Sequence, residues 1–252
     1  MATTSSTRIN KYLSETGFCS RRAADGLLEQ GRITINGIKP EMGTKVNLGD
    51  VVAVDGKIIG PPVEQAVYIA FNKPVGIVST TDVEKEKDNI IDYINHPKRI
   101  FPIGRLDKAS EGLIFLTSDG DIVNKILRAG NNHEKEYIVR VDKPISPTFI
   151  QKMGNGIPIL GTITRPCFVK QTSKFEFKII LTEGMNRQIR RMCQYLDYNV
   201  VALKRVRIMN VWLDLKPGEW RNLTTKEMDE INHLISDSSK TTEQKTNDYG
   251  EE

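Results

Sequence analysis

Two consecutive prolines, Pro61 and Pro62, constrain this chain more than any other feature, because neither offers a backbone N–H and both fix φ. No helix or central strand can run through them, so the segments on either side must be built as separate structures. With Gly60 in front and Val63-Glu64-Gln65 behind, they read as a stiff linker over 61–66. The chain of 252 residues is thereby divided into a small module over 7–60 and a larger one over 67–235 that can bury a sizeable core.

In the small module, Ile9, Tyr12 and Leu13 share one helical face, Gly17 breaks that helix, and Ser20 caps a second one that Gly31 stops. Ile33–Ile35 and Val51–Val54 read as short strands, with Asn36-Gly37 and Asp55-Gly56 as hairpin turn pairs. Arg21 and Arg22 fall in the first turn of the second helix, where the macrodipole disfavours cations. That placement asks for an anionic partner, with two solvated arginines as the alternative.

In the larger module, Tyr68–Phe71 and Gly76–Val78 read as strands around Asn72-Lys73-Pro74, 83–88 as a charged loop, and 89–95 as a short helix. Gly104-Arg105-Leu106-Asp107 leads into an apolar run, Gly112–Thr117, with the length of a buried strand. Asp107 is therefore expected on a loop held by a rigid element, a frequent place for chemistry and also for an ordinary solvated carboxylate. Asp119 starts a helix with Ile122, Val123, Ile126 and Leu127 on one face, and Glu136–Val141 returns as a strand. Lys174–Ile179 alternates as a half-buried strand, Val206–Leu213 reads as the last long strand, and 224–235 as a closing helix. Strands and helices mix without strict alternation, which predicts an α+β fold.

A helix over Arg187–Leu196 would put Ile189, Met192, Cys193 and Leu196 on one face and Arg187, Arg190, Arg191 and Gln194 on the other. On periodicity alone, such a cationic face is a solvated one. The net charge of +4 permits a polyanionic partner without demanding it, and residues 236–252, with 2 cations against 5 anions, subtract from the basic balance. That tail and residues 1–6 are too polar to order and read as disordered. Cys19, Cys167 and Cys193 lie far apart and suggest neither disulfides nor a thiolate site, and His96, His133 and His233 form no ligand pair. A cytoplasmic chain without metal and without a membrane segment is expected.

Gly104-Arg105-Leu106-Asp107 with Gly112-Leu113 resembles the aspartate motif of pseudouridine synthases. Lys135-Glu136-Tyr137-Ile138-Val139 resembles the family's tyrosine motif, and Gly184-Met185-Asn186-Arg187-Gln188-Ile189-Arg190-Arg191-Met192 its arginine motif. Residues 7–60 resemble the S4-type RNA-binding domain. The detail is closest to synthases that modify ribosomal RNA one uridine at a time, and among those acting on 23S rRNA to the F type.

The resemblance implies an S4-like domain followed by a mixed, mainly antiparallel-sheet catalytic domain, with no cofactor. It implies that a uridine of 23S rRNA is isomerised to pseudouridine, with a tRNA left open as a second substrate, and a monomer is expected. Asp107 is then the nucleophile, Tyr137 the ring that stacks on the flipped base, and Arg190 the partner of the aspartate. Burial alone favours the neutral acid, so a nearby guanidinium must hold Asp107 ionised. Arg105, Lys135, Arg187, Ile189 and Arg191 are expected to bind substrate, and Arg8, Lys11, Arg21, Arg22 and Lys39 to contact RNA from the S4-like domain. Two rival readings stand beside this one: a non-catalytic RNA-binding protein, which the basic module alone would explain, and a glycosidase or nucleosidase using Asp107 with Glu111.

Overall fold

The computed structural model describes residues 6–61, 65–127 and 132–236. The disordered ends expected from sequence, apart from Ser6 and Ser236, and the middle of the expected linker lie outside these residues. The chain forms two compact units: one takes residues up to Val67 together with His96–Ile100 and Ser118–Gly120, and the other takes the rest.

The first unit begins with β1 (Thr7–Arg8), α1 (Ile9–Glu15) and α2 (Arg21–Glu29), followed by β2 (Ile33–Ile35), β3 (Lys45–Val46), β4 (Val52–Val54) and β5 (Lys57–Ile59). Ser20 caps α2 by accepting a hydrogen bond from the Ala23 N–H, as its position before the helix predicts. Both turn pairs are left-handed at both residues, Asn36 at φ 51° with Gly37 at 80° and Asp55 at 50° with Gly56 at 76°. Those angles match the twist of a two-residue hairpin, and the second pair joins β4 to β5. Ile9, Leu13, Ala24, Leu28, Ile33, Val52 and Val54 close one small core. Each buried aliphatic side chain of Val or Leu size contributes roughly 1.5–3 kcal/mol.

The second unit is built on one mixed sheet. Its strands are β6 (Tyr68–Lys73), β7 (Phe101–Ile103), β8 (Glu111–Thr117), β9 (Lys135–Val141), β12 (Phe168–Ser173), β13 (Glu176–Leu181), β14 (Val200–Ile208), β15 (Val211–Trp212) and β16 (Trp220–Asn222). The order is β12-β13-β9-β14-β8-β6-β16, with β15 paired to β14 and β7 to β8. Among the described residues every pairing is antiparallel except that of β14 with β8. A small hairpin, β10 (Pro158–Ile159) with β11 (Thr162–Ile163), stands apart from the sheet. Five helices complete the unit: α3 (Ile90–Ile94), α4 (Gly120–Leu127), α5 (Pro147–Asn155), α6 (Gln188–Tyr195) and α7 (Thr225–Leu234). Leu113 and Phe115 of β8 pack against Ile122 and Ile126 of α4 and Ile231 of α7. No helix is long and apolar enough to cross a membrane, and no group of three or more His, Cys, Asp or Glu could hold a metal ion, both among the described residues.

Three local expectations are corrected. Gly76–Val78 is not a strand; Gly76 turns at φ 97° and only Val78 makes a single bridge, to Asn89. Val206–Leu213 is not one strand, because Met209 at φ 52° turns β14 back on itself as β15. The alternating strand begins at Glu176 and not at Lys174, since 173–176 are the turn from β12.

Candidate active site

A cleft of about 670 Å³ opens over one face of the central sheet. Its floor is formed by side chains that the pleat aims the same way: Lys135 and Tyr137 of β9, Leu181 of β13, and Leu203 and Arg205 of β14. Its rim is formed by the loop before β8 and by 183–187 leading into α6. Gly112 makes this arrangement possible. It lies at φ 120° opposite Arg205 in the parallel β8–β14 pairing, and a Cβ there would collide with the Arg205 backbone nitrogen and carbonyl.

Asp107 is held on the rim by its own loop. The buried Ser79 hydroxyl donates to the Leu106 carbonyl at 3.0 Å and accepts from the Leu106 N–H at 3.2 Å. The Ser110 N–H donates to the Asp107 carbonyl at 3.0 Å, and the Gly76 N–H to that of Lys108 at 2.8 Å. Two guanidinium groups face the carboxylate: Arg190 Nε lies 3.6 Å and Arg187 Nη1 3.7 Å from Asp107 Oδ2. Both distances are too long for hydrogen bonds, and Arg190 Nε is buried with no hydrogen-bond partner.

The two arginines are positioned differently. Arg190 is anchored by its far end, Nη2 donating to the Ala109 carbonyl at 2.9 Å and to Ser110 Oγ at 3.2 Å, and Nη1 to the Val200 carbonyl at 3.3 Å. Burial first, and repulsion from Arg187 second, lower its guanidinium from the ordinary value, while Asp107 opposes both. Arg187 is half-exposed and held at φ 51°, an uncommon conformation for a bulky side chain, as the residue capping α6. That turn is fixed by buried Gln188, whose Oε1 accepts from the Met185 N–H at 3.0 Å and whose Nε2 donates to Glu183 at 2.7 Å. The motif pattern predicts one partner for the aspartate, Arg190; the fold supplies both.

On the floor, Tyr137 is 8% exposed, and the Arg205 guanidinium lies over its ring at 5.9 Å from the centroid. Lys135 donates to the His133 carbonyl at 3.0 Å, and burial, reinforced by Arg205, pushes its ammonium down to about 8. Lys73, wholly buried on β6, is likewise pushed down to about 8 by burial, partly opposed by Asp107, and it is held by the Pro74 and Ile77 carbonyls, both at 2.8 Å.

Seven of the eight residues expected at the site line this cleft: Asp107, Tyr137, Arg190, Arg105, Lys135, Arg187 and Ile189. Arg191 does not, because it turns back onto Asn186, donating to the backbone carbonyl at 3.0 Å and to Oδ1 at 3.2 Å. The five expected RNA contacts belong to the first unit, where Arg8, Arg21, Arg22 and Lys39 are exposed. Lys11 is half-buried and pairs with Glu15 at 3.3 Å. Sequence reasoning missed Arg205, Lys73, Ser79 and Gln188. Arg205 carried a signal, since the adjacent cations of Lys204-Arg205 put one on each face of a strand.

The comparisons with known proteins agree with this geometry. Residues 67–195 match the RNA pseudouridylate synthase family and residues 7–52 match the S4 domain. The dual-specificity RNA pseudouridine synthase RluF of Salmonella typhi is 59% identical over 241 residues, 95% of this chain and 83% of that protein. The ribosomal large subunit pseudouridine synthase B of Bacillus subtilis is 34% identical over 237 residues, covering 90% of this chain and 96% of its own. A crystal structure of a pseudouridylate synthase superposes with a TM-score of 0.66 at 27% identity, over 89% of this chain and 99% of the other. An S4 domain ahead of a mixed, mainly antiparallel sheet, with three motifs gathered in one cleft, leads to one conclusion: the chain belongs to the RNA pseudouridylate synthase family and isomerises uridine in RNA.

Proposed function

We propose that this synthase, acting as a monomer, converts one specific uridine of 23S rRNA to pseudouridine and accepts a tRNA as a second substrate, with Asp107 as nucleophile on a flipped-out base. The observation that carries the assignment is the carboxylate of Asp107 facing Arg190 and Arg187 across 3.6 and 3.7 Å at the mouth of a cleft floored by Tyr137. Two guanidinium groups at this range offset the charge of the carboxylate, and an ionised carboxylate can attack C1′ or C6. Tyr137 offers the base a platform once the nucleotide has left its stack. Two substrates are supported by the dual specificity in the names of relatives such as RluF, and 23S rRNA by the likeness of the motifs to the F type.

The reaction moves C5 of the base onto C1′ and releases the C5 proton, so tritium release from [5-³H]uridine RNA measures it directly. Wild type should release tritium in proportion to its target, and Asp107→Asn should lose turnover by roughly 10³-fold or more with RNA affinity intact. Turnover in Asp107→Asn close to wild type would overturn the nucleophile. Mapping pseudouridines by carbodiimide and reverse transcription in a deletion strain should find one 23S position and one tRNA position left as uridine.

A further inference from the structure

Arg205 and Lys135 are cations on the cleft floor that the roles given to Asp107, Arg190 and Tyr137 leave unused. They are 4% and 8% exposed. Arg205 stands directly opposite Tyr137 in the β14–β9 pairing, and the register shifts between Arg205 and Arg207. This bulge turns Arg205 and Ile208 to the same face, so both line the cleft. Arg205 Nε donates to the Leu113 carbonyl at 2.6 Å, which fixes the guanidinium plane, while its Nη2 is buried with no hydrogen-bond partner. Lys135 uses one N–H on the His133 carbonyl. Among the described residues neither has a carboxylate within ion-pairing distance, and the nearby acids on the same strand are occupied. Glu134 pairs with Arg207 at 2.8 Å, and Glu136 with Arg207 at 3.2 Å and Lys178 at 3.3 Å. Two buried like charges with spare donors are costly, and such a cost is sustained where a ligand brings the missing acceptors.

We infer that Arg205 and Lys135 form an anion-accepting floor that receives the carbonyl oxygens of the flipped uracil and stabilises the negative charge the base takes on during the reaction. This rests on the nucleophilic role proposed for Asp107. If an Asp107 oxygen bonds to C1′, the N1–C1′ bond breaks and its electron pair stays with the base, spread over N1, O2 and O4. When C5 then bonds to C1′, the aspartate leaves as a carboxylate, C5 gives up its proton and N1 takes one. Attack at C6 instead pushes electrons onto O4 as an enolate. Either route loads a carbonyl oxygen, which fixed, water-shielded donors stabilise without reorganising. No proton is transferred from Arg205 or Lys135. A phosphate is a poorer occupant, because the spare Nη2 lies beside an aromatic ring on the floor, where a flat base fits and a hydrated phosphate does not.

The test compares a substrate that makes its own stable anion with one that does not. Fluorine at C5 stabilises negative charge on the base, so 5-fluorouridine RNA depends less on the floor. Single-turnover consumption of the target nucleotide would be measured for wild type, Arg205→Met, Arg205→Lys and Lys135→Met on uridine and 5-fluorouridine versions of one RNA. Arg205→Met should slow uridine by about 10²–10³-fold and 5-fluorouridine by about tenfold less than that, with RNA Kd unchanged and partial recovery in Arg205→Lys. An equal loss on both substrates would overturn the proposal, since a merely structural arginine supporting Tyr137 has no preference for the better leaving group. A loss expressed as weaker, salt-dependent binding would overturn it in favour of a grip on phosphate. If Arg205→Met does not fold, Lys135→Met carries the same comparison, and equal losses there reject the floor. Asp107→Asn distinguishes the two levels: turnover without Asp107 would remove the nucleophile itself, whereas full dependence on Asp107 with an unchanged substrate ratio removes only the floor.

Discussion

The protein carries two groups of cations that differ in how much water they keep. In the first unit Arg8, Arg21, Arg22 and Lys39 are exposed on β1, the first turn of α2 and the loop after β2. In the second unit Arg190, Arg205, Lys135 and Lys73 have surrendered most of their hydration and are fixed by backbone carbonyls. Charges that keep their water act on a polyanion through counterion release, an effect that salt weakens. Charges shielded from water act over a few ångströms, with force enough to set a protonation state and little sensitivity to salt. Net charge therefore does not separate the two groups; burial does.

That contrast can be broken most visibly at Arg190. Arg190→Met should cost about 10²-fold in single-turnover rate, because the carboxylate loses its buried counter-charge and the loop loses the bonds from Arg190 to Ala109 and Ser110. The half-exposed Arg187, changed in the same way, should cost about tenfold, since solvent screens its charge. Neither variant should alter the salt dependence of binding. A larger loss of rate in the Arg187 variant would reverse the two roles.

The complementary change is made in the first unit. Replacing Arg8, Arg21, Arg22 and Lys39 together by Ala should weaken RNA binding and flatten the slope of log Kd against log salt by about 0.7–0.9 for each phosphate no longer neutralised. Single-turnover rate at saturating enzyme should not change. Binding with an unaltered slope would show that these side chains do not grip the backbone.

The smallest effect is one of stability. Lys135 is lowered in the folded chain to about 8 from an ordinary value of 10.5, so between those pH values the unfolded chain binds a proton that the folded one does not. Stability therefore rises with pH across that window, and well below it the full cost of burying the charge is present and does not vary with pH. Lys135→Met escapes the cost of burying the charge, so its Tm relative to wild type should be highest near neutral pH and fall by about 5–10 °C on going to pH 10. A Tm difference independent of pH would show that Lys135 is hydrated in solution.

What could be read from the sequence were features whose cause is local. Asn36-Gly37 and Asp55-Gly56 specify left-handed turns by themselves, and Ser20, Asn89 and Thr224 each cap the helix that comes after by a bond within three residues. The helical periodicity of 187–196 correctly buried Ile189, Met192 and Cys193 and left the arginines on the other side. Met209 carries no turn chemistry, so Asn210 was the one local signal for the reversal between β14 and β15. α5, absent from the expected elements, did have one, with Ser146 as cap and Pro147 in the first turn. The floor of the cleft was hidden for a different reason: Tyr137 meets Arg205 only through strand register between distant segments, and the bulge that aims Arg205 leaves no trace in composition.

The crossing of β14 against Gly112 also sets when the enzyme becomes an enzyme. The bond from Arg205 Nε to the Leu113 carbonyl joins residues 92 positions apart, in the parallel pairing of the central sheet. Contacts between such distant segments bear the loop-closure entropy before they gain anything, and they govern the speed of assembly. The loop bearing Asp107 lies directly before β8, and Arg205 is on β14, so the cleft does not exist in a chain where these two strands have yet to meet. A nascent or partly opened molecule in which β8 and β14 have not met therefore lacks the cleft, however complete its other elements are.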